Sequence, residues 1–197
     1  MVHIEYRNVR INLADDVYEP AEDSFLLADA AVENVRNGMH VLEVGVGTGF
    51  VCAVLNANRD VHLLATEINP HAATCARSNG IDVIRTDMFA GIRTSHHFDM
   101  IIFNPPYLPT TDDEKVPGWL NYAFDGGTDG RAGVVRFLDE VIDHLCPTGT
   151  ILLLVSSLTG IEAVRCLMVS SGFIVDEVGR SKCFFEELVV LRGVLVD

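Results

Sequence analysis

The chain has 197 residues, 49% of them hydrophobic, and a formal net charge of −14. That length suits one well-packed domain, residues 1–197, and is short for two. The acidity argues against unaided binding to bare nucleic acid, which needs cations to displace phosphate counterions, and no apolar run approaches the ~18 residues of a bilayer span.

Residues 1–20 read as a loop ahead of a first helix. Met39–Val44 is a short apolar strand that runs into a glycine turn, after which Phe50–Ala57 carries apolar residues at helical spacing. Val61–Thr66 is a second strand. Asn69 is placed to cap the next helix, with Pro70 at its first position. Ile81–Arg85 and Phe98–Phe103 read as the third and fourth strands, Val134–Leu145 as an amphipathic helix, and Gly149–Ser156 as the fifth strand. Ile161–Ser171 is helical and Gly172 ends it. Phe173–Val178 and Phe184–Arg192 are two final strands joined by a turn near Gly179–Lys182. The loop at residues 104–133 is long enough to be functional in its own right.

Strand–helix alternation with continuously apolar strands predicts an α/β fold, a mostly parallel sheet with helices on both faces. The last two strands leave no room for a helix between them, so they form an antiparallel hairpin at one end of the sheet. A parallel sheet finished by such a hairpin resembles the seven-stranded, Rossmann-like sheet of class I methyltransferases, and that architecture is expected here.

The first turn reads Glu43-Val-Gly45-Val-Gly47-Thr-Gly49. Glycines between a strand and a helix let a ligand approach the backbone at the switch point of an open sheet. A dinucleotide turn needs G-x-G-x-x-G; here the spacing is G-x-G-x-G with an acid two residues ahead. That favours S-adenosylmethionine, whose ammonium group Glu43 can accept from. Glu67 ends the second strand, where a carboxylate can accept both ribose hydroxyls. Asp87 ends the third, placed to accept from an adenine amino group, with Met88 covering the ring.

Asn104-Pro105-Pro106-Tyr107 directly follows the fourth strand. Two prolines stiffen the backbone and remove its donors, so the corner presents acceptors: the Asn104 side-chain oxygen and the Pro105 carbonyl. A planar amide or aryl amine is a poor nucleophile because its lone pair is delocalised. Two acceptors on its N–H groups draw density onto nitrogen and orient it, without a strong base. Tyr107 can pack over the planar group.

Five scattered cysteines (Cys52, Cys75, Cys146, Cys166, Cys183) with no C-x-x-C pair argue against a disulfide framework or an intrinsic zinc site. They suit reduced thiols in the cytoplasm. His96-His97 reads as a solvated turn, and the start of the chain carries no signal-peptide pattern.

With the glycine turn, Asn104-Pro-Pro-Tyr107 resembles the amino- and amide-methyltransferases of the seven-strand fold. Tyr18-Glu-Pro-Ala-Glu-Asp-Ser24-Phe-Leu-Leu27 and Phe124-Asp-Gly-Gly-Thr-Asp-Gly-Arg131 narrow this to the HemK-type release-factor glutamine methyltransferases, in their short eukaryotic and archaeal form. The resemblance implies N-methylation of the glutamine side chain in the Gly-Gly-Gln loop of a class I release factor. It places Ser24, Glu43, Gly45, Gly47, Glu67, Asp87, Met88 and Asn104 against S-adenosylmethionine, and Asn104, Pro105 and Tyr107 against the glutamine amide. Glu67 is often Asp in relatives. The short form lacks the N-terminal helical domain by which bacterial relatives hold their factor. It works with a small zinc-binding activator, whose metal belongs to that partner. Ile81–Arg85 is expected at the sheet edge, where Ile81, Val83 and Ile84 could invite strand addition. The rival substrate is an adenine amino group in DNA or RNA, which presents the same planar nitrogen. A non-catalytic scaffold is the rival of another class, and histone lysine is disfavoured because an ammonium has no lone pair to present.

Overall fold

A computed structural model describes residues 2–95, 97–111, 113 and 118–196. His96 and part of the long loop, residues 112 and 114–117, lie outside the described residues. The first departure from expectation is at the start. Residues 1–20 are not all loop: β1 (His3–Tyr6) and β2 (Val9–Asn12) form an antiparallel hairpin. Its tight turn places Arg7 and Asn8 at φ of 44° and 64°. Such a turn is usually signalled by Asn-Gly, and Arg-Asn gives no such signal. The hairpin is anchored by Ile11, which is fully buried, and by the Tyr6 ring, 5.0 Å from Phe25 and 5.6 Å from Phe50. Tyr6 also donates to Asp29 at 2.7 Å.

The main sheet is the predicted one. β3 (His40–Val44) pairs in parallel with β4 (His62–Glu67) on one side and with β6 (Phe98–Phe103) on the other. β5 (Val83–Arg85) adds beyond β4 and β7 (Leu145–Ser156) beyond β6, again parallel. β8 (Phe173–Lys182) and β9 (Glu187–Leu195) close the sheet as an antiparallel hairpin, in the order β5-β4-β3-β6-β7-β9-β8. The chain leaves β3 for β4 and β5 on one side, then crosses to β6 on the other. The strand ends between β3 and β6 therefore open a crevice, the usual ligand position in such sheets.

Alternate residues of the central strands feed two apolar layers. Leu42, Ile101, Phe103, Ile151 and Leu153 pack with α5 (Ala132–Val141) and α6 (Ile161–Ser170). Val41, Met100, Ile102, Leu152 and Leu154 pack with α1 (Glu22–Asn34) and α2 (Phe50–Asn58). Helices thus cover both faces. α3 (Pro70–Ser78) starts as expected, with Asn69 accepting from the His71 N–H at 2.9 Å. Gly172, at φ 91°, lies just beyond the end of α6.

Three boundaries move. The helix expected to reach Leu145 ends at Val141, a 3₁₀ turn follows, and Leu145 already pairs with Phe98 in the sheet. Gly179 is not in a turn. It sits at an irregularity inside β8, where a Cβ would come within 3.2 Å of Leu26 Cδ1 on α1. The true turn is Cys183–Glu186, with Phe184 and Phe185 at its tip, 92% and 87% exposed. Lastly, β5 is the edge strand, but Ile81 and Val83 are buried in the chain's own core beneath α3. Two of the three apolar side chains that suggested an inviting edge are thus already occupied, and Ile84 is left partly exposed.

Candidate active site

The glycine turn is held by the strand beside it, since the N–H groups of Gly45 and Val46 donate to the Thr66 carbonyl at 2.9 and 3.1 Å. Gly45, Gly47 and Gly49 all have positive φ, of 68°, 56° and 84°. Their roles differ. A Cβ on Gly49 would lie 2.8 Å from Ile81 Cγ1, so this glycine lets α2 pack against the β5 side. A Cβ on Gly47 would meet nothing within 4 Å, because it faces open space.

Two acids flank the turn. Glu43 is buried and accepts from the Cys52 N–H in the first turn of α2 at 3.0 Å. Burial pushes its carboxyl up to about 8; hydrogen bonds from Cys52 hold it back and the nearby Glu67 adds to the rise. Glu67 is buried too, accepting from the Gly47 N–H at 2.9 Å and the Asn69 N–H at 2.8 Å. Burial again raises its carboxyl, and the backbone N–H groups around it oppose the shift. Glu67 therefore tethers the turn that the first acid serves.

Asp87 has a partner that sequence reading did not supply. Arg136 on α5 grips both its oxygens, at 2.8 and 2.9 Å, and also reaches Glu140 at 2.9 Å. Its neighbour Met88, at φ 43°, packs its side chain on the α5–α6 layer.

At the Asn104–Tyr107 corner, Asn104 Nδ2 donates to Asp23 Oδ2 at 2.9 Å, while its buried Oδ1 meets no partner among the described residues. The Tyr107 phenol is raised by burial and by the acids Asp23 and Glu186. The long loop folds back over this corner. Leu108 donates to the Phe124 carbonyl at 3.0 Å and Gly126 donates to Leu108 at 2.9 Å. A Cβ on Gly126 would lie 2.9 Å from the Pro106 carbonyl oxygen, and one on Gly130 2.5 Å from that of Tyr107. The glycines of the Phe124–Arg131 run are there because the chain packs directly on the corner.

The glycine turn, its two acids, Asp87 with Arg136, and the proline corner border one cavity of about 830 Å³, within the size range of small-molecule sites. Every predicted site residue lines it: Ser24, Glu43, Gly45, Gly47, Glu67 and Asp87, then Met88, Asn104, Pro105 and Tyr107. The structure adds Asp23, and Trp119 and Tyr122 around α4 (Asn121–Phe124). The signal for Asp23 was its place inside the Tyr18–Leu27 run; for the aromatic pair it was the length of the loop. Among the described residues no three His, Cys, Asp or Glu side chains gather as a metal site, and no helix is long and apolar enough to cross a membrane.

The sheet order, the glycine turn flanked by acids and the proline corner define a class I methyltransferase. The family model for the methyltransferase small domain matches residues 22–117. A Methanocaldococcus jannaschii protein, provisionally named a protein N5-glutamine methyltransferase, is 41% identical over 199 residues, covering 96% of this chain and 98% of that protein. Human methyltransferase HEMK2 is 36% identical over 170 residues, covering 80% of this chain and 79% of its own. Among solved structures, the Mtq2–Trm112 complex of E. cuniculi, which methylates the eRF1 translation termination factor, superposes with a TM-score of 0.76 at 28% identity; 91% of this chain and 99% of that one are covered. The chain belongs to the protein N5-glutamine methyltransferase family.

Proposed function

We propose that this protein transfers a methyl group from S-adenosylmethionine to the side-chain amide nitrogen of the glutamine in the Gly-Gly-Gln loop of a class I release factor. The observation that carries the reading is the buried Asn104 Oδ1, without a partner among the described residues, at the head of two prolines that have no N–H to offer. A buried acceptor left without a partner is costly, and an N–H of a planar amide satisfies it. The Pro105 carbonyl is the second acceptor, and Tyr107 covers the plane.

The cavity suits the methyl donor on the chain's own terms. Gly47 leaves room where a side chain would intrude, and Glu43 is a buried acid with no cationic side chain beside it among the described residues. Glu43 takes the ammonium group and Glu67 the ribose hydroxyls. Gly45 lets the ligand lie against the backbone, Ser24 and Asn104 contact it from the α1 side, and Asp87 with Met88 frames the adenine. S-Adenosylmethionine, when bound, would supply an electrophilic sulfonium methyl and leave as neutral-sulfur S-adenosylhomocysteine, the proton displaced from the methylated amide nitrogen being lost to solvent. The chain's part is to orient the amide and to keep water out, with Trp119 and Tyr122 at the opening.

The protein is proposed to act as one domain over residues 1–197, because the β1–β2 hairpin shares the α1–α2 apolar layer. Its partner is proposed to be a small zinc-binding activator, as Trm112 is the partner of Mtq2, added along the β5 edge. Since Ile81 and Val83 are buried, the half-exposed Ile84 is the side chain to change there. Ile84→Asp is expected to weaken co-purification with the activator without unfolding the chain.

The decisive assay is methyl transfer from labelled S-adenosylmethionine to a purified release factor, with and without the small partner, using a Gly-Gly-Ala factor as control. Label on the intact factor alone supports the reading. Label on DNA or RNA instead moves the substrate to an adenine amino group, and no heat on titrating the methyl donor makes the chain a scaffold.

A further inference from the structure

Asp23 is buried at the first turn of α1, and among the described residues the groups that hydrogen-bond its carboxylate are all donors. Ser24 donates to Oδ1 through its N–H and, at 3.1 Å, through its hydroxyl. The Tyr18 hydroxyl lies 3.1 Å from both oxygens, and Asn104 Nδ2 donates to Oδ2 at 2.9 Å. Tyr18 is itself braced, its ring edge-on to Phe124 of the long loop at 5.6 Å. An ionised carboxylate only accepts, whereas a carboxamide has one accepting and one donating end and can bond either way round. Asn104, which lines the cavity, therefore has its NH₂ committed to Asp23, and its buried oxygen is left without a partner among the described residues.

We infer that Asp23 is a positioning residue: it fixes which way round the Asn104 carboxamide sits, so that an acceptor rather than a donor meets the incoming amide. With the carboxamide reversed, NH₂ would oppose NH₂ and the corner would repel the nucleophile it serves. Tyr18 and Ser24 support the role by holding the carboxylate still. This deepens the amide-methyltransferase reading and rests on it for its kinetic test.

The experiment uses Asp23→Asn, which keeps the shape and introduces a donor, together with Asn104→Ala and the double variant. Asp23→Asn is expected to lower kcat by about 100-fold or more, the scale of losing one preorganised polar contact at a reacting centre, while the methyl-donor Kd stays within a few fold. The double variant is expected to be no slower than Asn104→Ala alone, because both changes remove the same acceptor. Wild-type kcat in Asp23→Asn, or losses that multiply in the double variant, would overturn the proposal. A reading independent of any acceptor comes from the side-chain amide resonance of Asn104 in the free protein, identified by its loss in Asn104→Ala. It should shift in Asp23→Asn, and an unmoved resonance also overturns the assignment. Should Asp23→Asn fail to fold, Tyr18→Phe is read in its place, with a smaller loss of kcat, a shifted Asn104 resonance and an unchanged donor Kd. If wild type leaves the release factor unlabelled, the substrate reading fails, and the amide resonance still decides the role of Asp23.

Discussion

Single side chains in this site do two things at once, and that shapes what their removal does. Glu67 serves the cavity and also ties the Gly47 and Asn69 N–H groups. Glu67→Ala is expected to weaken methyl-donor binding by about 10- to 100-fold, the range of losing hydrogen bonds to a charged group, with turnover at saturating donor less affected. Isothermal titration of the donor checks it, and an unchanged Kd would remove the ribose role. Glu43 makes a pH-dependent prediction. Its carboxyl rises from 4.5 to about 8 on burial, so ionising it costs more in the folded chain than in the unfolded one. Its effect on the empty protein is a loss of stability as pH climbs from about 4.5 towards 8. A bound ammonium reverses this, so donor affinity should rise between pH 6 and pH 8, with up to one proton released per donor bound near pH 7. Binding enthalpy that varies with the ionisation enthalpy of the buffer would show the release, and Glu43→Gln should abolish it. Both acids were legible in the sequence because each lies at the end of a mostly apolar strand, next to a turn. The Asp23–Asn104 bond was not, because its partners stand 81 residues apart and only the fold brings α1 to the proline corner.

Among the elements, strands buried on both faces were the easiest to read, since β3, β4 and β6 are short, mostly apolar stretches followed by turn residues. What periodicity misses is an element whose stability comes from elsewhere. β1 and β2 are short and lack a hairpin turn signal; they exist because Tyr6 and Ile11 have α1 and α2 to pack on. Glycine misled at position 179 for a related reason, marking the close approach of α1 to β8 rather than a reversal. At position 49 the close approach is tighter. Gly49→Ala combines positive φ with a Cβ 2.8 Å from Ile81 and 3.3 Å from Ala76. It is expected to destabilise the fold by about 2–4 kcal/mol, from strain and overpacking together. A lowered urea midpoint with an unchanged slope would show this, whereas Gly47→Ala, facing open space, should cost donor affinity more than stability.

At the scale of the molecule, the mostly parallel sheet with its final antiparallel hairpin was legible because few topologies join alternating strands and helices with short right-handed connections. The lid over the site was not, since its folding depends on packing against the corner it covers. The chain is also a strongly charged body with an adhesive tip at one hairpin. Its net charge of −14 keeps copies apart at low ionic strength, while Phe184 and Phe185 stand almost wholly in water at the end of the β8–β9 hairpin. Salt shortens the reach of that repulsion from about 10 Å at 0.1 M to about 3 Å at 1 M, and leaves the attraction between aromatic tips intact. The second virial coefficient from light scattering should therefore fall and change sign as salt is added, and Phe184→Ser with Phe185→Ser should keep it positive. Purification and storage of this protein are then governed less by its fold than by two rings and the ionic strength around them.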